Sequence, residues 1–278
     1  MEQLTDKPLL EFANVTFGYG NNQDKVLQNV SFSIFPGDQI GILGDNGSGK
    51  STIIKILLGL YSPEQGKVSL FDQKVSWKKH YPKLGYIGDP SYNLGELGLP
   101  TSLSVKNVVE IFKLLWKQSN QYLPSCDDIE QRLNIPNFYS CNIGKLSKGQ
   151  RMRLMAFLAL GKKIDLLVAD EATEGLDGKV KKIILSEIKR AIEDFNLSIL
   201  WISHKFDEIF VLTNKIYELQ DGYLNQKITD NFNYKIEIKS SSLGSNVDQS
   251  IDQHNIFQVI GELLENSLID EFTIKVRK

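Results

Sequence analysis

Two hydrophobic periods divide this chain. Residues 9–18, 29–35 and 39–43 carry short apolar stretches bounded by the polar turns "GNNQDK" and "PGDQ", which predicts strands. "QIGILGDNGSGKSTIIKILLGL" reads as a strand, a glycine-rich turn and a helix. Segments 67–71 and 84–88 predict further strands and 104–118 a helix. From about residue 90 to 145 the strands stop and helical patterns take over ("SVKNVVEIFKLLW", "CDDIEQRL"), which predicts a helical subdomain inserted into an α/β core. The core resumes as helix 147–160, strand 165–169, helix 178–194 and strand 198–202. Strands alternating with helices argue for a mostly parallel sheet covered on both faces.

After Gly222 the pattern changes. "NYKIEIK" predicts a strand, "SSSLGSNVDQSIDQ" a polar loop, "NIFQVIGELLENS" a helix and "DEFTIKV" a strand. The expected organisation is a main domain over 1–227, with its helical subdomain over about 90–160, followed by a small β-α-β appendix over 228–278.

Composition narrows the function classes only a little. With 278 residues, 41% hydrophobic and 24% charged, the chain has an ordinary globular balance. A net charge of −2 gives no general electrostatic footprint for nucleic acid, and none is expected as a partner. No run of about 18 apolar residues is present, so a function at a membrane would require another polypeptide to hold the chain there. Cys126 and Cys141 match no metal-ligand spacing, and without a secretory signal they are expected to be reduced structural thiols.

The candidate chemistry begins at Gly44-Asp45-Asn46-Gly47-Ser48-Gly49-Lys50-Ser51, followed by Thr52, which matches G-x-x-x-x-G-K-[ST] without a gap. The glycines let the loop curl so that backbone N–H groups face a phosphate, aided by the dipole of the following helix. Lys50 is placed to neutralise β and γ oxygens, and the Ser51 hydroxyl suits Mg²⁺. "IDLLVADEAT" supplies acids at the tip of an apolar strand. Side chains alternate along a strand, so Asp170 and Glu171 need not share a job. Asp170 is the expected Mg²⁺ holder, and Glu171 the group that orients the attacking water or accepts its proton. Farther on, Ser147 followed three residues later by Gln150, ahead of an apolar run, is a capping box.

A phosphate loop, then "LSKGQ" at 146–150, then "LLVADE", then a histidine after a strand is an ordered series that resembles the ATP-binding cassette family, the nucleotide-binding subunits of ABC transporters. "LSKGQ" is similar to the family signature LSGGQ, with Lys148 in place of a glycine. The resemblance covers roughly residues 8–224. It implies a P-loop NTPase core with an antiparallel β subdomain and the inserted helical subdomain. It also implies head-to-tail pairing with a second copy or a paralogous subunit, in which Ser147, Gly149 and Gln150 grip the triphosphate held by the partner. Asp177, in "EGLDG", would lie at that interface near the partner's phosphates. Tyr19 would stack on adenine, and His204 would contact the γ-phosphate, whereas His80 and His254 receive no role.

Asp89 stands where the family keeps a glutamine that touches the metal. It either supplies an oxygen to Mg²⁺ or starts an Asp-Pro turn with Pro90. Glu174 replaces the family's usual small residue, and the sequence offers no reading of it. The implied function is hydrolysis of ATP, with Mg²⁺, to drive a separate transmembrane permease at the cytoplasmic face of the cell membrane. The tail resembles appendices of exporter-type cassettes, so export is the expected direction. The rival, a soluble ABC ATPase of translation or DNA maintenance, would need a long coiled-coil insertion or a second cassette, and neither pattern occurs here. A GTPase is disfavoured because "TNKI" at 213–216 lacks the aspartate of a guanine reader.

Overall fold

The computed structural model describes residues 7–20, 25–76, 80, 83–88, 100–227, 233–239, 247–251 and 271–277. Thirteen strands and six helices are named below among these residues. They form three sheets.

The first sheet is antiparallel, in the order β2-β1-β4-β5, from β1 Leu10–Phe17, β2 Leu27–Ile34, β4 Gln65–Leu70 and β5 Gln73–Lys74. Alternation fixes its register: Leu10, Phe12, Val15 and Phe17 are buried along β1. Phe12 faces Phe32 across the ladder with ring centroids 4.8 Å apart.

The second sheet holds the core. It runs β10-β9-β3-β8-β7-β6, from β3 Gln39–Leu43, β6 Leu84–Ile87, β7 Leu166–Asp170, β8 Ser198–Ser203, β9 Lys215–Gln220 and β10 Tyr223–Lys227. All its pairings are parallel except β9 with β10. Every residue of β6, β7 and β8 is buried, as strands covered on both faces require. That is why these strands read as apolar runs rather than as alternation. Helix α1, Lys50–Leu57, leaves the end of β3 and buries Ile53, Ile54, Ile56 and Leu57. Helix α5, Gly178–Phe195, buries Ile184, Leu185, Ile188 and Ala191, the i, i+1, i+4, i+7 face of an amphipathic helix. It ends at Asn196 in the left-handed conformation. Helix α6, Phe206–Leu212, packs on β3 and β8.

The helical layer comprises α2 Val105–Gln118, α3 Cys126–Arg132 and α4 Lys148–Leu160. Ser104 caps α2 by accepting from the Asn107 amide, and α2 turns Val105, Val108, Val109, Phe112 and Trp116 inward. Trp116 then meets Phe157 of α4 at 5.6 Å between ring centroids. The helix expected at 147–160 forms as α4. It buries seven of its last nine residues, because beyond its first turn it lies between the sheet and the helical layer. Both cysteines are free, as expected. Burial pushes the Cys126 thiol up to about 12, so it is an inert core group.

One ion pair ties the helical layer to the core. Arg132 at the end of α3 donates from Nε and Nη2 to the two oxygens of Glu187 on α5, each at 2.7 Å. Glu187 is buried, whereas the arginine is partly exposed. Replacing Arg132 by Met strands a buried carboxylate. We expect a loss of about 2–3 kcal/mol in urea-induced unfolding, below the figure for a fully buried pair because solvent reaches the guanidinium. A loss under about 0.5 kcal/mol in that titration would show that the pair contributes only surface electrostatics.

The third sheet, β12-β11-β13, is antiparallel and built from β11 Asn233–Lys239, β12 Val247–Ile251 and β13 Glu271–Arg277. β11 and β13 fall where sequence placed strands. β12 lies inside the expected polar loop, so that expectation is corrected. The predicted helix "NIFQVIGELLENS" lies outside the described residues, as does Asp89. Among the described residues no helix is long and apolar enough to cross a membrane.

Candidate nucleotide site

The loop Gly44–Gly49 joins β3 to α1, and two of its glycines are required by close approach. A Cβ on Gly44 would sit 2.5 Å from Ser48 Oγ and 2.8 Å from the Leu219 carbonyl. Gly49 adopts φ 108°, and a Cβ there would meet the Val26 carbonyl at 3.0 Å. Lys50 is buried, and its Nζ donates to the carbonyls of Gly44 at 2.6 Å and Asp45 at 2.9 Å. The ammonium is therefore folded over the loop's own oxygens, with Glu171 Oε1 3.7 Å away. Ser48 Oγ is buried with no hydrogen-bond partner among the described residues. A ligand rich in oxygen acceptors would satisfy it.

Asp170 ends β7 and is buried, while Ser51 at the start of α1 is exposed. A carboxylate and a hydroxyl are the hard oxygen donors that Mg²⁺ accepts, so this pair fits that ion. Glu171, one residue beyond, has φ 47°, a left-handed conformation that is uncommon for a glutamate. Its amide still donates to the Ile202 carbonyl at 2.9 Å, which pins the backbone to β8. The twist swings its carboxylate against the end of β8. There it accepts from Ser203 Oγ at 3.1 Å and from the His204 amide at 3.1 Å. His204 Nδ1 lies 2.9 Å and 3.0 Å from the two oxygens. A carboxylate only accepts, so Nδ1 carries the proton, and in the neutral ring Nε2 is then the nitrogen with the lone pair.

Sequence reasoning missed the layer behind these residues. The Ser203 hydroxyl has one proton to give, and it stands between Glu171 Oε2 and Glu208 Oε2, the latter at 3.3 Å. Glu208 is fully buried and receives Lys181 Nζ at 3.0 Å. Burial alone would raise its pKa, but Lys181, with the Thr173 hydroxyl and Lys205 behind it, outweighs burial and holds it below the usual carboxylate range. No motif marks this network, because Ser203, Glu208 and Lys181 come from separate elements.

A cleft of about 790 Å³ opens on the loop and is lined by Gly44, Ser48, His204 and Phe206, with Glu218 and Gly222 across from them. Tyr19 does not line it. That ring, 41% exposed, stands edge-on to Phe17 and Tyr61, and its hydroxyl is 3.0 Å from Thr52 Oγ1.

Ser147, Gly149, Gln150 and Asp177 are also absent from the cleft lining. Both bonds of the capping box form. Gln150 N donates to Ser147 Oγ at 3.2 Å, and Ser147 N donates to Gln150 Oε1 at 2.9 Å. Asp177 caps α5 by accepting from the Val180 amide at 2.9 Å. These two helix starts are neighbours: a Cβ on Gly149 would touch Val180 at 3.4 Å, and one on Gly175 would lie 3.1 Å from Lys148 Nζ. One chain thus presents two groups of candidate residues: the loop with Glu171 and His204, and the Ser147–Asp177 face.

Residues 27–174 match the family described as "ABC transporter", which is more than half of the chain. The chain belongs to that family. Among curated relatives, the zinc uptake system ATP-binding protein ZurA of Listeria monocytogenes is 30% identical over 224 residues, covering 77% of this chain and 83% of that protein. An energy-coupling factor transporter ATP-binding protein of Streptococcus pyogenes is 30% identical over 229 residues, covering 80% and 79%. Among solved structures, the dimeric post-hydrolysis state of an ATP-binding cassette bound to ADP and Pi superposes with a TM-score of 0.63 at 23% identity, covering 78% of this chain and 97% of that one. An ATP-binding subunit of an ABC transporter gives 0.67 at 21%, covering 80% and 91%. The ABC protein described here is an ATP-binding subunit and an ATPase. The expected export direction finds no support in these names, the first of which is an uptake system.

Proposed function

We propose that this cassette binds Mg²⁺-ATP at the Gly44–Thr52 loop, pairs head to tail with a second copy or a paralogue, and drives a transmembrane permease carried on a separate chain. One observation carries the reading. Ser147, Gly149 and Asp177 gather on one face at the neighbouring starts of α4 and α5, whereas the loop Gly44–Ser48 lines a cleft with His204, and this division supports a helix start that serves another molecule's nucleotide.

In this reading Gly44, Asp45, Asn46, Gly47, Ser48 and Gly49 wrap the phosphates with backbone N–H groups, and the ammonium of Lys50 leaves its carbonyls for β and γ oxygens. Ser51 and Asp170 hold Mg²⁺, with Asp89 as a further oxygen donor. The metal neutralises phosphate charge when bound. Glu171 takes a proton from the attacking water or orients it, and His204, held by Glu171, contacts the γ-phosphate. Tyr19 stacks on adenine at the rim beside Thr52. The membrane partner holds the protein at the cytoplasmic face, and the helical layer is the face that receives it. Residues 1–227 form the ATP-binding unit, and 228–278 form an appendix without an assigned role.

The names of the relatives, transporter ATP-binding proteins, support the membrane setting. Co-expression with a candidate transmembrane permease tests it. The subunit should sediment with membranes and elute with the permease after detergent extraction. Sedimentation with ribosomes instead would favour the soluble alternative.

A further inference from the structure

Glu174, in the loop after β7, takes no part in the reaction derived above. Its Oε1 lies 4.0 Å from His204 Nε2. That gap is too long for a hydrogen bond, whereas a tetrahedral ion bonded to both atoms at about 2.0–2.2 Å would hold them about 3.4 Å apart, a closing of about half an ångström that side-chain rotation supplies. Glu171 supplies what a metal-binding imidazole needs at its other nitrogen. It accepts Nδ1–H, which fixes the ring and leaves the Nε2 lone pair facing Glu174. Glu171, Glu174 and His204 each offer one ligand atom within 4.8 Å of the others, and all three are partly accessible.

We propose that Glu174 and His204 Nε2 bind one transition-metal dication, with Glu171 backing the imidazole, and that this ion blocks ATP turnover. The donor set selects the ion. An imidazole with one carboxylate suits Zn²⁺, Co²⁺ or Mn²⁺, whereas Mg²⁺ prefers oxygens alone and goes to Ser51 and Asp170. A bound dication ties up His204 and pulls on the Glu171 carboxylate, the two groups that the γ-phosphate and the attacking water require. The blocking step, but not the binding, rests on the function proposed above.

Calorimetry of the nucleotide-free full chain with ZnCl₂, in a non-chelating buffer near neutral pH, reads binding alone. Wild type should take up one ion, Glu174→Ala should bind it about 10-fold or more weakly, and His204→Ala should not bind it at that site. Co²⁺ in place of Zn²⁺ should show visible absorption without a thiolate charge-transfer band, which separates this site from Cys126 and Cys141. Steady-state turnover with saturating Mg²⁺-ATP is the second arm. Zn²⁺ should inhibit the wild type, and Glu174→Ala, itself turning over normally without Zn²⁺, should need about 10-fold more. Equal Zn²⁺ affinity in wild type and Glu174→Ala would overturn the site. Selective binding without inhibition would keep the site and overturn the block, and with it the assigned role of His204.

Discussion

Glu171→Gln is expected to bind ATP as the wild type does and to hydrolyse it at least about 10²-fold more slowly, the scale of losing a positioned acid or base. The substitution is nearly isosteric. The Ser203 hydroxyl and the His204 amide donate to different oxygens of Glu171 at 3.1 Å each, and the amide oxygen of the variant keeps one of these two bonds. The left-handed turn at 171 is set by the backbone bond to Ile202 and is kept. What is lost is a group able to take a proton and to hold His204 Nδ1–H through either oxygen. A fluorescent ATP analogue measures binding, and phosphate release measures turnover. Near-normal phosphate release would remove Glu171 from the reaction.

The second large effect concerns the pair rather than the single chain. With ATP, Glu171→Gln should accumulate as a dimer, because closing is permitted and the step that reopens it is slowed. Adding Ser147→Arg should abolish that dimer and, in an otherwise wild-type chain, lower turnover at least about 10²-fold through loss of the partner's phosphate grip. The arginine also removes an N-cap, which costs about 1 kcal/mol in stability. Ser147→Ala removes the same cap without the bulk and separates the two effects. Light scattering distinguishes the 31.5 kDa monomer from its dimer. A Glu171→Gln chain that stays monomeric with ATP, both alone and in the permease complex, would refute the shared site.

Much of this was legible in the residues. The phosphate loop depends on local spacing, and β7 and β8 are runs buried on both faces, so the sequence pattern is also the packing pattern. The capping box at Ser147 and Gln150 formed as written because both its bonds are local. The unread parts are those that tertiary contacts decide. Ser203, Glu208 and Lys181 meet only after β8, α6 and α5 have packed. The strand β12 is hidden in a Ser-rich polar stretch because its five residues carry only two apolar side chains, Val247 and Ile251, one at each end. The hairpin of β9 and β10 did leave a signal: Asp221-Gly222 both adopt positive φ, as a type I′ turn demands, and "DG" after the alternating "KIYELQ" is its usual sequence mark. Glu174 looked like an anomaly because its partner, His204, is thirty residues away in sequence and becomes adjacent only across the β7–β8 ladder.

Burial of Lys50 bears on how tightly ATP can be held. The ammonium is stripped of water when the chain folds, and two carbonyl oxygens stand in for its hydration shell. An arriving triphosphate therefore replaces two carbonyl oxygens, and adds its charge beside the Glu171 carboxylate 3.7 Å away, at a cation already shielded from solvent. The affinity gained at this position reflects the difference between phosphate and peptide dipoles, since the dehydration toll was settled beforehand.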